Sequence, residues 1–111
     1  MRQLAKAAVT FFSVIVLLSV LGLGFMTSWG RVDPNLHVAL AFLAAVVAVG
    51  IHVQGGSGLD FLAAVLLVVA MALGFMVLSG GMSSASHLWV AMIAVGVSAG
   101  TQIRNLLRGM K

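Results

Sequence analysis

Four apolar runs, separated by short breaks rich in Gly, Pro and Ser, constrain this chain more than any motif it carries. They extend from about Ala5 to Thr27, about Asn35 to Val53, about Leu59 to Leu78 and about Ser86 to Leu107. Each is close to the roughly 20 residues an α-helix needs to cross a bilayer. In hydrocarbon every backbone N–H and C=O must be paired inside its own segment, so helices are the economical solution. No alternation of the kind a spanning strand needs is present. Charged residues make up 7% of the chain, against roughly 25% in soluble domains. Six Lys/Arg and two Asp/Glu side chains cannot cover a soluble surface. The sequence therefore predicts one all-α integral membrane domain over residues 1–111, embedded in the lipid bilayer.

The breaks carry their own signals. In Gly30-Arg31-Val32-Asp33-Pro34, Asp33 is placed as N-cap and Pro34 at the first helical position, where its missing N–H costs nothing. Ser57, with Asp60 three residues on, resembles a capping box with Asp in place of Glu. Ser83 or Ser84 can cap the last helix. Short breaks make sequential helices antiparallel neighbours, so the expected architecture is an up-down-up-down four-helix bundle. The first run follows Arg2 and Lys6, as a secretion signal would. It is longer than a signal core of about 7–15 residues and no small-residue cleavage pattern follows, so it is read as a span.

Basic residues set orientation and exclude one partner class. Arg2, Lys6, Arg104, Arg108 and Lys111 lie at the two chain ends, with only Arg31 between. The positive-inside tendency then predicts a multi-pass protein of the cell (inner) membrane with both termini cytoplasmic. The basic balance reflects the scarcity of acids (Asp33 and Asp60) and not a patch, so no nucleic-acid partner is expected. The chain has no cysteine, and hence no thiolate metal site.

The chain also repeats itself. Leu23-Gly24-Phe25-Met26, Gly30 and His37 recur fifty residues later as Leu73-Gly74-Phe75-Met76, Gly80 and His87. The register continues through Ala41/Ala91, Ala44/Ala94, Val47/Val97 and Gly50/Gly100. A two-helix unit is read as duplicated, with one copy over about 5–54 and the other over about 55–107. Only one histidine recurs in register. His37, Ala41, Ala44 and Ala48 form one helical stripe, and His87, Ala91, Ala94 and Ser98 form its counterpart. Such a lane of small side chains either brings two helices close or leaves room for a flat macrocycle. An ionisable group at membrane depth is a functional hypothesis by default. The expected site is thus a pair of neutral imidazoles near the outer face holding one metal centre. Gly24 and Gly74 would give clearance on the other two helices, and Arg31 would partner a propionate.

Other residues weigh on that reading. His52 lies roughly 22 Å along its helix from His37, and its repeat partner is Gln102, a poor iron ligand. One centre is expected, with His52 as a hydrogen-bonding residue, a quinone contact or the relic of a lost site. Met26 and Met76 would add soft donors for a His/Met copper(I) site, against plain packing. Gly96 and Gly100 form a G-x-x-x-G on the face away from His87, suited to a homo-oligomer or a larger complex. A cofactor-free accessory subunit working through such contacts is the competing expectation. In that case the histidines simply bond loop carbonyls or water. No paired carboxylates, no Ser/His/Asp arrangement and no phosphate loop are evident. An electron carrier is expected, not a catalyst of group transfer. Small multidrug exporters match in size alone, since the first helix lacks their membrane-embedded carboxylate.

The pattern of Leu-Gly, a following Gly, then His with Ala four residues on the next helix resembles the half-bundle of haem A synthase. It is also similar to four-helix b-type cytochromes of the b561 and ferric-reductase kind. The resemblance implies one haem b per chain, with His37 and His87 as axial ligands between the second and fourth helices. The chain departs from haem A synthase in having one histidine pair and no cysteine pair in the outer loops. Electron transfer, to or from quinone or a redox partner protein, is therefore implied over haem A synthesis.

Overall fold

The computed structural model describes residues 2–109, and these form four helices with no strand among them. They are α1 (Arg2–Ser28), α2 (Pro34–Gly55), α3 (Gly58–Leu78) and α4 (Ser84–Gly109). All four are long and apolar enough to cross a membrane. The bundle measures 46 Å along its longest axis, close to the ~40–45 Å of a bilayer with its headgroup regions. Its outer surface is studded with exposed Phe, Leu, Ile and Val side chains, including Phe11, Phe42 and Phe61. Such a surface is compatible with a multi-pass membrane protein, because lipid solvates it without penalty.

Local chemistry explains where each helix starts and stops. Asp33 is in an extended conformation and its Oδ1 accepts from the Asn35 N–H at 2.9 Å, with Pro34 opening α2. The Ser57/Asp60 capping box is complete in both directions. The helices α1 and α3 end in the same turn. Arg31 N–H bonds Met26 C=O and Gly30 N–H bonds Thr27 C=O, while Gly81 bonds Met76 and Gly80 bonds Val77 likewise. This is a Schellman motif, whose pivot needs positive φ. Gly30 and Gly80 supply it at +75° and +84°. At α4, Ser83 Oγ faces Ser86 Oγ at 3.2 Å one residue before the helix begins.

Helices α1 and α2, α2 and α3, α3 and α4, and α4 and α1 pack side by side. Across the diagonals, α2 touches α4 while α1 and α3 stay apart. The alanine lanes cause this asymmetry: Ala44, Ala48 and Ala94 are buried at the centre and let the two backbones approach. Leu17 and Val20 from α1, with Leu67 from α3, fill the remaining core. Buried positions 13, 17 and 20 on α1 find counterparts at 63, 67 and 70 on α3. In lipid, apolar contact between helices brings no hydrophobic gain, so close packing and interhelical hydrogen bonds must hold the bundle.

Candidate functional site

His37 stands one turn inside α2 and His87 one turn inside α4, so the two diagonal helices bring their imidazoles to the same end of the bundle. The ring centroids are 6.4 Å apart and the planes inclined by 66°. Each ring leans on the glycine of the preceding helix. A Cβ at Gly24 would lie 3.2 Å from His37 Cε1, and one at Gly74 would lie 3.1 Å from His87 Cε1. The glycines are thus spaces that the rings occupy. Nδ1 of His37 and Nδ1 of His87 are both buried without a hydrogen-bond partner. A buried polar atom left unpaired costs about 1–3 kcal/mol, so each calls for an explanation.

Both histidines line a cavity of about 440 Å³ that opens toward the 29–33 and 79–83 connections. That volume lies within the range of roughly 300–1,000 Å³ seen for cofactor and ligand sites. Gly24 and Gly74 line it too, and Thr27, Ser28 and Ser84 make its polar rim. A smaller space of about 60 Å³ continues below the rings between the alanine lanes. Below the histidines, then, the lanes mostly close, and the room lies at and above the rings. Of the expected site residues, the fold brings together His37, His87, Gly24 and Gly74. Arg31 sits exposed on the connection and does not line the cavity, because the Schellman turn carries it outward. Met26 and Met76 are also exposed and off the cavity, whereas Met71, which sequence reasoning passed over, lines both spaces. Among the described residues no group of three or more His, Cys, Asp or Glu side chains could hold a metal ion.

The opposite end of the bundle, where Gln3 Nε2 donates to Gly109 C=O at 2.9 Å, is built differently. His52 Nδ1 donates to Asp60 Oδ1 at 2.7 Å, and Ser98 Oγ meets His52 Nε2 at 2.7 Å. Gln102 Nε2 donates to Ser98 Oγ at 3.1 Å. The Asp60 carboxylate also accepts from Ser57 Oγ at 2.6 Å and from Asn105 Nδ2 at 3.1 Å, and Arg104 Nη2 donates to Ser57 Oγ. Both ring nitrogens of His52 are therefore spent. Of the expectations for this residue, hydrogen bonding is what the structure displays, and nothing on its ring is left for a metal.

Against the expectation of no Ser/His/Asp arrangement, Asp60, His52 and Ser98 form one hydrogen-bonded line across α3, α2 and α4. The residues lie 8 and 46 positions apart, so no short motif announces them. The available signal was two titratable residues flanking the Gly55-Gly56 break inside an otherwise apolar chain. The line is not a hydrolase site. Ser98 is 0% exposed and its Oγ is shared by His52 and Gln102, whereas a nucleophile needs space for substrate and donors aimed at the developing oxyanion. The line joins α2, α3 and α4 through buried hydrogen bonds.

Gly55 makes room for this cluster, since a Cβ there would fall 2.5 Å from Asp60 Oδ2 and 2.7 Å from Asp60 Cγ. Gly55→Ala should therefore push the carboxylate off its partners and destabilise the bundle by about 1–3 kcal/mol, as overpacking does. Unfolding in a detergent titration measures this, and an unchanged midpoint would show that Asp60 moves freely. No family model, curated protein or solved structure matches the chain.

Proposed function

We propose that this protein is a membrane b-type cytochrome that holds one haem between His37 and His87. The observation that carries the reading is the convergence of two imidazoles from diagonal helices on one cavity, with centroids 6.4 Å apart. Two imidazole nitrogens at about 2 Å from one metal would set centroids at roughly 6 Å, once each ring turns its Nε2 edge from Gly24 or Gly74 toward the other. Two imidazoles alone leave an ion with open positions. A tetrapyrrole supplies four donors of its own, so a bis-histidine set suffices for haem where it would not complete a bare metal site. When bound, the haem supplies one-electron chemistry. The chain supplies the axial imidazoles, excludes water with its alanine lanes, and offers Thr27, Ser28 and Ser84 at the rim in place of Arg31.

In this reading the bundle is up-down-up-down and arose by duplication of a two-helix unit. The recurrence of buried positions and of the Schellman turns supports this. Both termini are cytoplasmic in the cell membrane, the haem lies near the outer face, and electrons pass to or from quinone or a redox protein. Trp29 and Trp89, exposed at the haem end, fit an interfacial level. A reduced-minus-oxidised spectrum of the purified protein tests the proposal: a Soret shift with sharp α and β bands is expected, and a featureless difference at full iron supply would end it.

One observation favours a complementary role in assembly. Gly96 and Gly100 face outward with nothing within 4 Å, beside exposed Ile93 and Ile103. A homo-oligomer or a larger complex would use this face, and it is the same face on which a cofactor-free accessory subunit would depend. The glycines under the rings discriminate between the readings. Gly24→Ala and Gly74→Ala should raise helix stability by up to ~1 kcal/mol. Because the new methyl displaces the ring by a few tenths of an ångström, haem affinity should fall about tenfold. Haem titration of each variant reads this, and unaltered affinity in both would remove the rings from the site.

A further inference from the structure

The fifty-residue register that pairs His37 with His87 also pairs the buried polar cluster with residues of the other half, and there the two halves differ. Asp60 corresponds to Thr10, His52 to Gln102, Arg104 to Gln54 and Asn105 to Gly55. In the α3 half the anion is built in: Asp60 accepts from Ser57 and Asn105 and is bonded to His52. The α1 half has no carboxylate at the matching place. A cavity of about 380 Å³ lies there instead, lined by all four counterparts, Thr10, Gln102, Gln54 and Gly55. Neither histidine of the pair at the other end lines it.

Unequal helix lengths open this space. On the same register α3 starts at the equivalent of Ala8 and α2 stops at the equivalent of Asn105, whereas α1 starts at Arg2 and α4 runs to Gly109. The outer turns of α1 and α4 therefore overhang the end of α2, and Gln3 ties them together at Gly109. Lys6 rides on that overhang and lines the cavity. Charge at this end has one sign. Among the described residues its charged side chains are Arg2, Lys6, Arg104 and Arg108, with Asp60 as the single acid, 1% exposed and already bonded. No acidic side chain lines the cavity. The helix ends around it offset one another, the amino end of α1 against the carboxyl end of α2, so Lys6 sets the sign of the field inside.

We propose that this cavity takes the phosphate of an anionic lipid, with Lys6 as its counter-charge and the exposed Gln54 amide among its donors. The occupant brings from outside the anion that Asp60 supplies from within in the other half. Lysine suits the task, because its ammonium is a compact charge on a flexible stem. The chemistry recognised is a phosphate oxyanion, and the place makes a lipid its source. At the end of a bundle 46 Å long, in a bilayer of ~40–45 Å with its headgroups, the cavity stands at headgroup level. Its volume is more than a carboxylate fills and leaves room for the glycerol beside the phosphate, against Ile51 and Leu106. A zwitterionic lipid carries its own cation and gains less from Lys6. Haem is not needed for this binding.

The test reconstitutes the full chain in phosphatidylcholine vesicles containing a minority of phosphatidylglycerol, and native mass spectrometry after detergent extraction counts the lipid retained on each chain. Phosphatidylglycerol should be retained about fivefold over its share of the vesicle lipid, the preference that one lysine gives near an anionic headgroup. Lys6→Gln should remove most of that preference, and since Lys6 is exposed, no folding defect confuses the result. Arg108→Gln takes the same charge from the same end but lies off the cavity, and it should retain the lipid as the parent does. Thr10→Asp gives α1 the carboxylate that α3 carries, and it should lose the lipid. Retention in proportion to vesicle composition, parental retention in Lys6→Gln or in Thr10→Asp, or equal losses in Lys6→Gln and Arg108→Gln would each overturn the proposal. Displacement of the lipid by millimolar inorganic phosphate would make this a site for the free anion and overturn it as well.

Discussion

His37→Ala and His87→Ala should each abolish the Soret band of the purified protein, and either single loss should be as complete as the double. The reason is geometric. With one imidazole gone, the lining left besides the other histidine is glycine, alanine, apolar side chains, rim hydroxyls and the thioether of Met71, and none of these matches an imidazole as an iron ligand. Met71 is the one side chain on both spaces that could compete for iron, and a weak, red-shifted residual band in His87→Ala would reveal it. Free imidazole at millimolar concentration should restore the spectrum of either His→Gly variant, because the glycine leaves the space that the ring filled. His52→Ala is the control: whatever fraction folds should keep its band, since both ring nitrogens of His52 are committed elsewhere. Retention of a normal band in both His37→Ala and His87→Ala would remove the cytochrome proposal.

The second large effect belongs to the other end. Asp60 and His52 are each 1% exposed and bonded to one another at 2.7 Å. Removing one member of a buried pair strands the other, and such losses run to about 3–5 kcal/mol. Asp60→Leu should approach that cost, because it also leaves donors on Ser57 and Asn105 without their acceptor. His52→Leu should cost similarly, by isolating a carboxylate in a low-dielectric core. The double variant should cost clearly less than the two single losses added together, since it removes both polar groups at once. Equilibrium unfolding in mixed micelles gives all three values. Additive losses, or single losses below about 1 kcal/mol, would mean that the pair is solvated in the folded protein and holds nothing together.

Much of the helical layout could be read directly from the residues. Asp33-Pro34 and Ser57 with Asp60 announced two helix starts, because capping is short-range chemistry, while the Schellman stops at Gly30 and Gly80 emerged only with the structure. The alanine lanes were legible as stripes, since a helix converts spacing into a face. Their consequence was not. Whether Ala44, Ala48 and Ala94 would part to admit a ring or close on one another depends on how two helices cross, and they mostly closed. Arg31 was legible as the nearest cation to His37, yet the turn carries it away from the cavity. His52 was visible as unusual, while its partners were invisible: Ser98 lies 46 residues away on another helix.

Sequence by itself determined that there are four helices, roughly where they begin and end, and that each is apolar enough to cross a membrane. A helix pairs its backbone polar groups within its own segment, and runs of about 20 apolar residues without strand alternation leave no other reading. Only the tertiary structure decided which helices meet across the diagonal. With that it decided that two histidines share one cavity while a third is sealed between Asp60 and Ser98. Helix packing sums many weak contacts between residues far apart in the chain, and that sum exists only once the helices are side by side.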